Sequence, residues 1–280
     1  MGEERPHRSS REAVDGAQAT TSNSGITPPL FDIHCHSGLS VEGKSPLQTG
    51  ENELIATAEA HHWKELLPQL DSNRQRFGAL GLHPWYAEQW DGASAEQLEV
   101  FLARAEVVAI GEVGLDPAVR VDMGLQEQVL RAQIRMALKV DKPLILHVSK
   151  GYADVLHILK EEGAERVGGV VHGFSAGANI GTAFIRQGFY LGIGPLLLRK
   201  NARKLPAALR HLPLERLVIE TDAQGGMSGY ADPEQRTAAL ASIVGRLADL
   251  YATPAEQVRS QLWCNSCTLL SLDSNQGKKK

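Results

Sequence analysis

Six residues in this chain combine metal-binding side chains with strand-like surroundings: His34, His36, Glu112, His147, His172 and Asp222. The first two fall in Phe31-Asp-Ile-His-Cys-His36. As a strand, this segment turns Asp32, His34 and His36 to one side and Phe31, Ile33 and Cys35 to the other. Neutral imidazoles at i and i+2 converge on one point, which suits a divalent cation better than a core. Glu112 lies in Ala109-Ile-Gly-Glu-Val-Gly-Leu-Asp116, and His147 ends Pro143-Leu-Ile-Leu-His. His172 ends Gly169-Val-Val-His, and Asp222 ends Leu217-Val-Ile-Glu-Thr-Asp. Each, taken singly, reads as an ordinary polar residue at a strand end. Together, four histidines and two carboxylates suffice for two cations with one carboxylate shared. Without a metal, Glu112 and Asp222 would repel each other. The mixed nitrogen and oxygen set suits Zn, Mn, Fe or Co, and Mg less well.

Such residues need a scaffold that brings distant strand ends together. Strands are predicted at Leu30–His36, Glu53–Ala58, Arg76–Leu82, Val107–Leu115, Pro143–Val148, Gly168–Phe174, Phe189–Gly194 and Leu217–Asp222. Several are apolar on both parities, as strands covered on both faces should be. Between them, Ser94 reads as an N-cap before a stripe at Leu98, Phe101 and Leu102. Gly124–Val140 is amphipathic, with Val129, Ile134, Ala137 and Leu138 available for packing. Tyr152–Glu162 stops at Gly163. Further helices are predicted at Ala202–Leu212, Pro233–Tyr251 and Ala255–Leu270. This is the order of an α/β chain forming a (β/α)8 TIM barrel, whose active sites lie at the C-terminal strand ends. Ser37–Asn52, with Gly38, Gly43, Pro46 and Gly50, shows no helical stripe, so a loop replaces the first helix. A doubly wound open sheet is the competing architecture.

Composition narrows the setting. The chain has 280 residues, 42% of them hydrophobic, and a net charge of -4, so it can bury a full core and has no global basic field. Residues 1–29 read as a disordered tail closed by Pro28-Pro29, residues 30–272 as the barrel and 273–280 as a basic tail. Three cysteines, no bilayer-length apolar run and no secretory signal fit an intracellular, cytoplasmic or nuclear protein with no membrane partner. Two motif matches fail on mechanism. Gly38-Leu-Ser-Val-Glu-Gly43-Lys44-Ser45 fits the P-loop pattern, but Pro46 and Gly50 leave no helix to face phosphates. Cys264-Asn-Ser-Cys267 sits late in a terminal helix, away from the exposed helix start that redox chemistry needs, and reads as two packed thiols.

The motifs named above, with Gly81-Leu-His-Pro-Trp85 and Val170-Val-His-Gly-Phe-Ser175, occur in one order from about Leu30 to Leu270. In that order the chain resembles the TatD-related deoxyribonucleases, metal-dependent hydrolases on an amidohydrolase-type barrel. The resemblance implies two divalent ions (Mg, Mn or Zn), one held by His34, His36, Glu112 and Asp222 and the other by Glu112, His147 and His172. It implies hydrolysis of phosphodiesters in DNA, in some members RNA, often from the 3′ end. Asp222 and Glu112 are then the catalytic residues, with Asp222 accepting the proton of the attacking water. His83 lines the mouth and meets substrate, and Glu220 shares the parity of Asp222.

The chain also departs from that family. Many members carry an arginine two residues after the fifth-strand histidine, where this chain has Ser149 followed by Lys150. Ala223-Gln-Gly-Gly-Met-Ser-Gly-Tyr230 replaces the usual segment after Asp222. Ser149 and Lys150 are therefore the candidate substrate-binding positions that distinguish it. Two alternatives stand beside the nuclease: a related hydrolase of an ester, amide or small phosphoester, and a non-catalytic, metal-stabilised binding barrel.

Overall fold

A computed structural model describes residues 27–39, 51–71, 75–223, 230 and 232–272. Eight parallel strands run in the order β1 Phe31–Cys35, β2 Asn52–Ala56, β3 Arg76–Ala79, β4 Val107–Leu115, β5 Leu144–Val148, β6 Gly169–Val171, β7 Phe189–Ile193 and β8 Leu217–Ile219. Helices α1 Ala60–Asp71, α2 Gly92–Leu102, α3 Met123–Val140, α4 Tyr152–Glu162, α5 Ala178–Arg186, α6 Lys204–Leu209 and α7 Pro233–Tyr251 cover the outside. The last helix, α8 Ala255–Leu269, brings Leu269 and the following Leu270 to the inner core. The fold is a (β/α)8 barrel, as the alternation predicts.

Each strand sends at least one apolar or aromatic side chain to a single cluster: Ile33, Leu54, Ala79, Ala109, Ile145, Val170, Tyr190 and Val218. A larger cluster fills the layer between strands and helices. The sheet closes where β1 meets the end of β8. There the Asp222 amide donates to His34 O and the His36 amide to Ala223 O, both at 2.9 Å. Asp32 reinforces the seam by accepting from the Thr221 amide at 2.9 Å and from its hydroxyl at 2.5 Å.

Strict alternation along β1 does not hold. The register with β2 shifts between Asp32 and Cys35. Phe31 and Ile33 face the inner cluster and Cys35 the outer one. Asp32 is buried 3.6 Å from Arg236 Nη2, which also bonds Glu53 at 2.8 Å. Asp32 therefore does not share a side with His34 and His36. Such a shift re-aims the side chains that follow it.

Other expectations need adjustment. Asp91, not Ser94, is the N-cap of α2: its carboxylate accepts from the Ser94 amide at 2.7 Å while the Ser94 hydroxyl accepts from the Asp91 amide at 2.8 Å. Ser94 is the third residue of that reciprocal box. α1, which carries Pro68 in its interior, and α5 have no counterpart among the predicted helices. The buried stripe of Trp63, Leu66, Leu67 and Leu70 holds α1 in place. α6 is shorter than the predicted Ala202–Leu212. Leu138 is only half-buried on α3. Cys267 is buried but Cys264 is exposed, so the two thiols are not both packed. The loop predicted in place of a first helix lies mostly outside the described residues, as do Lys44 and both predicted tails apart from residues 27–29. No helix among the described residues is long and apolar enough to cross a membrane.

Candidate active site

Glu112 stands at the centre of the barrel mouth, and its two oxygens face different partners. Oε2 lies 3.5 Å from His34 Nε2 and 3.3 Å from His36 Nε2. Oε1 lies 2.7 Å from His172 Nε2, 2.8 Å from His147 Nδ1 and 3.3 Å from His83 Nε2. Asp222 Oδ1 joins the first group, 3.5 Å from His34 Nε2 and 3.6 Å from His36 Nε2. All six residues singled out for metal chemistry thus meet at one point. The glycine before Glu112 makes the approach feasible: a Cβ on Gly111 would stand 2.5 Å from Ile145 Cβ, closer than real carbons approach.

Hydrogen bonds orient several of the rings. His36 Nδ1 is 2.8 Å from Ala56 O, which can only accept, so the proton sits on Nδ1 and Nε2 offers its lone pair inward. His83 has the opposite tautomer. Its Nδ1 accepts from the Trp85 amide at 3.2 Å, leaving Nε2–H as a donor toward Glu112. His147 Nδ1 lies 2.8 Å from Glu112 Oε1 and 3.1 Å from His172 Nε2, while its Nε2 lies 3.5 Å from Asp116 Oδ2 without a hydrogen bond. Two buried glutamines of α3 hold the adjoining backbone. Gln133 pairs with both the amide and the carbonyl of Leu82, at 2.8 and 3.1 Å. Gln126 does the same for Asp116, at 2.9 and 3.2 Å.

Electrostatics divide the residues by protonation. Burial raises the Glu112 carboxyl, but the surrounding imidazoles, the His172 charge foremost, outweigh it and hold it well below the usual carboxylate range. His34 falls to about 4 through burial and the His172 charge, and so stays neutral. Burial disfavours the charged form of His172, yet Glu112, Glu220 and Asp222 lift it to about 10. Burial also opposes charge on His36, and Glu112 and Asp222 raise it nonetheless. Asp222 feels burial too, but the neighbouring His34, with His172 beyond it, keeps it depressed. Its side chain is 46% exposed, which leaves it open to water.

The residues fit a divalent cation on two observations. The Nε2 atoms of His34 and His36 are buried without a hydrogen-bond partner, a costly state for atoms aimed at carboxylates. Ligand atoms of His34, His36 and Glu112 lie within 4.8 Å of one another, as do those of His34, His172 and Asp222, and those of His83, Glu112 and His147.

Around this centre, the other candidates are differently placed. Ser149 is half-buried beside Asp116, whose carboxyl it helps to hold low, while Lys150 is exposed with φ +59°. Glu220 is fully buried, with Oε1 accepting from the Gly173 amide at 2.5 Å and Oε2 unpartnered. Burial, with the Asp222 charge adding to it, pushes this carboxyl up to about 8 despite His172. Gly192 makes room for it, since a Cβ there would stand 2.2 Å from Glu220 Oε2. Beside Asp222 a cavity of about 520 Å³ opens between the ends of β6, β7 and β8, lined by Phe174, Leu196, Arg199, Glu220 and Asp222 among others.

Comparison with known proteins decides the family. The family described as TatD related DNase matches residues 31–271. The chain belongs to the TatD family. The uncharacterized metal-dependent hydrolase YjjV of Escherichia coli K12 is 31% identical over 259 residues, 87% of this chain and 98% of that protein. The crystal structure of YjjV superposes with a TM-score of 0.75 at 27% identity, covering 89% of this chain and all of the other. A protein of Edwardsiella piscicida named as the 3′-5′ ssDNA/RNA exonuclease TatD is 34% identical over 177 residues, 62% of this chain and 66% of its own length. As a TatD-family member, the chain is a metal-dependent hydrolase.

Within this TatD barrel, sequence reasoning passed over Asp116, Trp85 and Arg199 as site residues. Asp116 accepts from Trp85 Nε1 at 2.7 Å as well as facing His147 and Ser149. A buried aspartate four residues after a strand glutamate carries no spacing signal of its own. Arg199 reaches the cavity only because the short helical turn Pro195–Leu198 folds back beside Asp222.

Proposed function

We propose that the protein is a two-metal phosphodiesterase that removes nucleotides from the 3′ end of single-stranded nucleic acid, chiefly DNA. The observation that carries this reading is the split of Glu112, whose two oxygens address two separate sets of imidazoles. In it, His34, His36, Asp222 and Glu112 Oε2 would hold one ion, and His147, His172 and Glu112 Oε1 the other. Such a pair supplies the positive charge that polarises a phosphate, acidifies water and stabilises the leaving oxygen.

The chain's own groups supply the rest. Asp222, ionised and half-exposed, takes a proton from water as the oxygen–phosphorus bond forms and the bond to the 3′ oxygen breaks. His83 donates its Nε2 proton to a non-bridging phosphate oxygen, replacing its interaction with Glu112. Asp116, 3.5 Å from His147 Nε2, would accept its proton when Nδ1 serves as a ligand. Arg199, at the lip of the cavity beside Asp222, offers a charged fork for phosphate at the end of β7 rather than β5. That placement answers the absence of an arginine at position 149. The name of the Edwardsiella relative, an exonuclease on single-stranded DNA and RNA, agrees with this substrate class.

The test is elemental analysis of the purified protein together with hydrolysis of 3′- and 5′-labelled single strands, a duplex and a generic aryl phosphodiester. Stepwise loss from the 3′ end that requires divalent metal is expected. Turnover of the aryl ester with no action on any strand would leave a small-phosphoester hydrolase as the better reading.

A further inference from the structure

We propose that Trp85 is a stacking platform for a nucleobase of the bound strand, fixed in position by Asp116. This rests on the nuclease reading above and specifies how that site recognises nucleic acid. Trp85 is 47% exposed, one of two large hydrophobic side chains exposed among the described residues. It sits at the mouth: its ring meets the His83 ring edge-on, with centroids 5.1 Å apart and an interplanar angle of 90°. His83 Nε2 is in turn 3.3 Å from Glu112 Oε1. One imidazole therefore separates an open indole from the central carboxylate.

The indole is held rather than merely exposed. Its Nε1–H donates to Asp116 Oδ2 at 2.7 Å, and Asp116 is buried. Asp116 is itself secured by the Ala118 amide at 2.9 Å and, through its backbone, by Gln126. A tryptophan serving only to pack would be covered, as Trp63 is. An aromatic ring with its polar edge already satisfied and its apolar surface facing solvent suits a flat apolar ligand. Among phosphate esters, the nucleotides carry such a surface in the base. Every base has a π-face, so the contact tolerates any sequence, and stacking of this kind contributes measurably to single-strand binding. A phosphate group alone gains nothing from it.

The test compares binding of two phosphorothioate strands of equal length, one of thymidines and one abasic, by fluorescence anisotropy with the divalent metal that the protein contains. The parent should bind the thymidine strand about ten-fold more tightly than the abasic one. Trp85→Ala should abolish that preference, so that the thymidine strand binds no more tightly than the abasic one, while Trp85→Phe should keep most of it. Preference retained in Trp85→Ala, or absent from the parent, overturns the platform. Hydrolysis of ordinary strands is followed separately. Loss of that activity in the parent overturns the nuclease reading, whereas normal hydrolysis without base preference overturns the platform alone.

Discussion

His36 Nδ1 lies 2.8 Å from the carbonyl oxygen of Ala56 on the neighbouring strand, and this one bond decides which ring nitrogen faces Glu112. The tautomer is set by the backbone, before any ligand arrives. His34 has no such bond: both its nitrogens are buried and unpartnered.

The first prediction follows from the shared position of Glu112. Glu112→Gln keeps the shape but removes the charge facing both imidazole sets, so the variant should fold and lose about two orders of magnitude or more in kcat. His36→Ala touches one set and should lose less. Wild-type turnover with a full metal complement in Glu112→Gln would remove that residue from the centre.

Removal of metal should abolish hydrolysis of every substrate, and adding back Mn, Zn or Mg should restore it in proportion to the ion bound. The check is activity against metal content by elemental analysis during stepwise chelation. Undiminished turnover at vanishing metal content contradicts the reading.

Arg199→Ala should raise KM for oligonucleotides about ten-fold, since a charge-assisted contact to phosphate contributes about 1.5–3 kcal/mol, and leave kcat for an aryl phosphodiester little changed. Ser149→Arg should do little for nucleic acid, because the new guanidinium meets Asp116 first. Steady-state kinetics of both variants on both substrates decide between the two positions.

Glu220 gives a pH-dependent prediction in the chelated protein. Its folded-state value of about 8 lies above the ordinary 4.5, so the folded chain holds a proton that the unfolded chain releases. Stability from this group is full below about pH 4.5 and is lost as pH rises toward 8 and beyond. Glu220→Gln removes the titration, so its Tm relative to the parent should climb across that window by about 4 °C or more. A difference that does not change with pH would show that the Glu220 carboxyl is already ionised at neutrality.

Much of this was legible in the residues. Each metal-type side chain sits at a strand end because the barrel places all eight ends on one rim, and apolar runs such as Leu144–Leu146 mark those strands without ambiguity. The errors have local causes. Period-two reasoning put Asp32 with His34, and a register shift between Asp32 and Cys35 broke the period. α1 carries Pro68 in its interior, and its burial of Trp63 and Leu66 outweighs the lost backbone bond. Asp116 and Trp85 belong to the site through one side-chain bond across 31 positions, which no spacing rule contains.

The seam between β1 and β8 has a consequence for the chain as it is made. His34 and His36 emerge among the first residues of the barrel, and Asp222 arrives with its last strand; the bonds from Asp222 to His34 and from His36 to Ala223 join the two ends. A ribosome that has delivered residues up to the end of β7 has released four histidines and the central glutamate, but not Asp222. The six-residue centre is therefore completed only with ring closure, and a chain that stops short of its last strand lacks one of the two carboxylates.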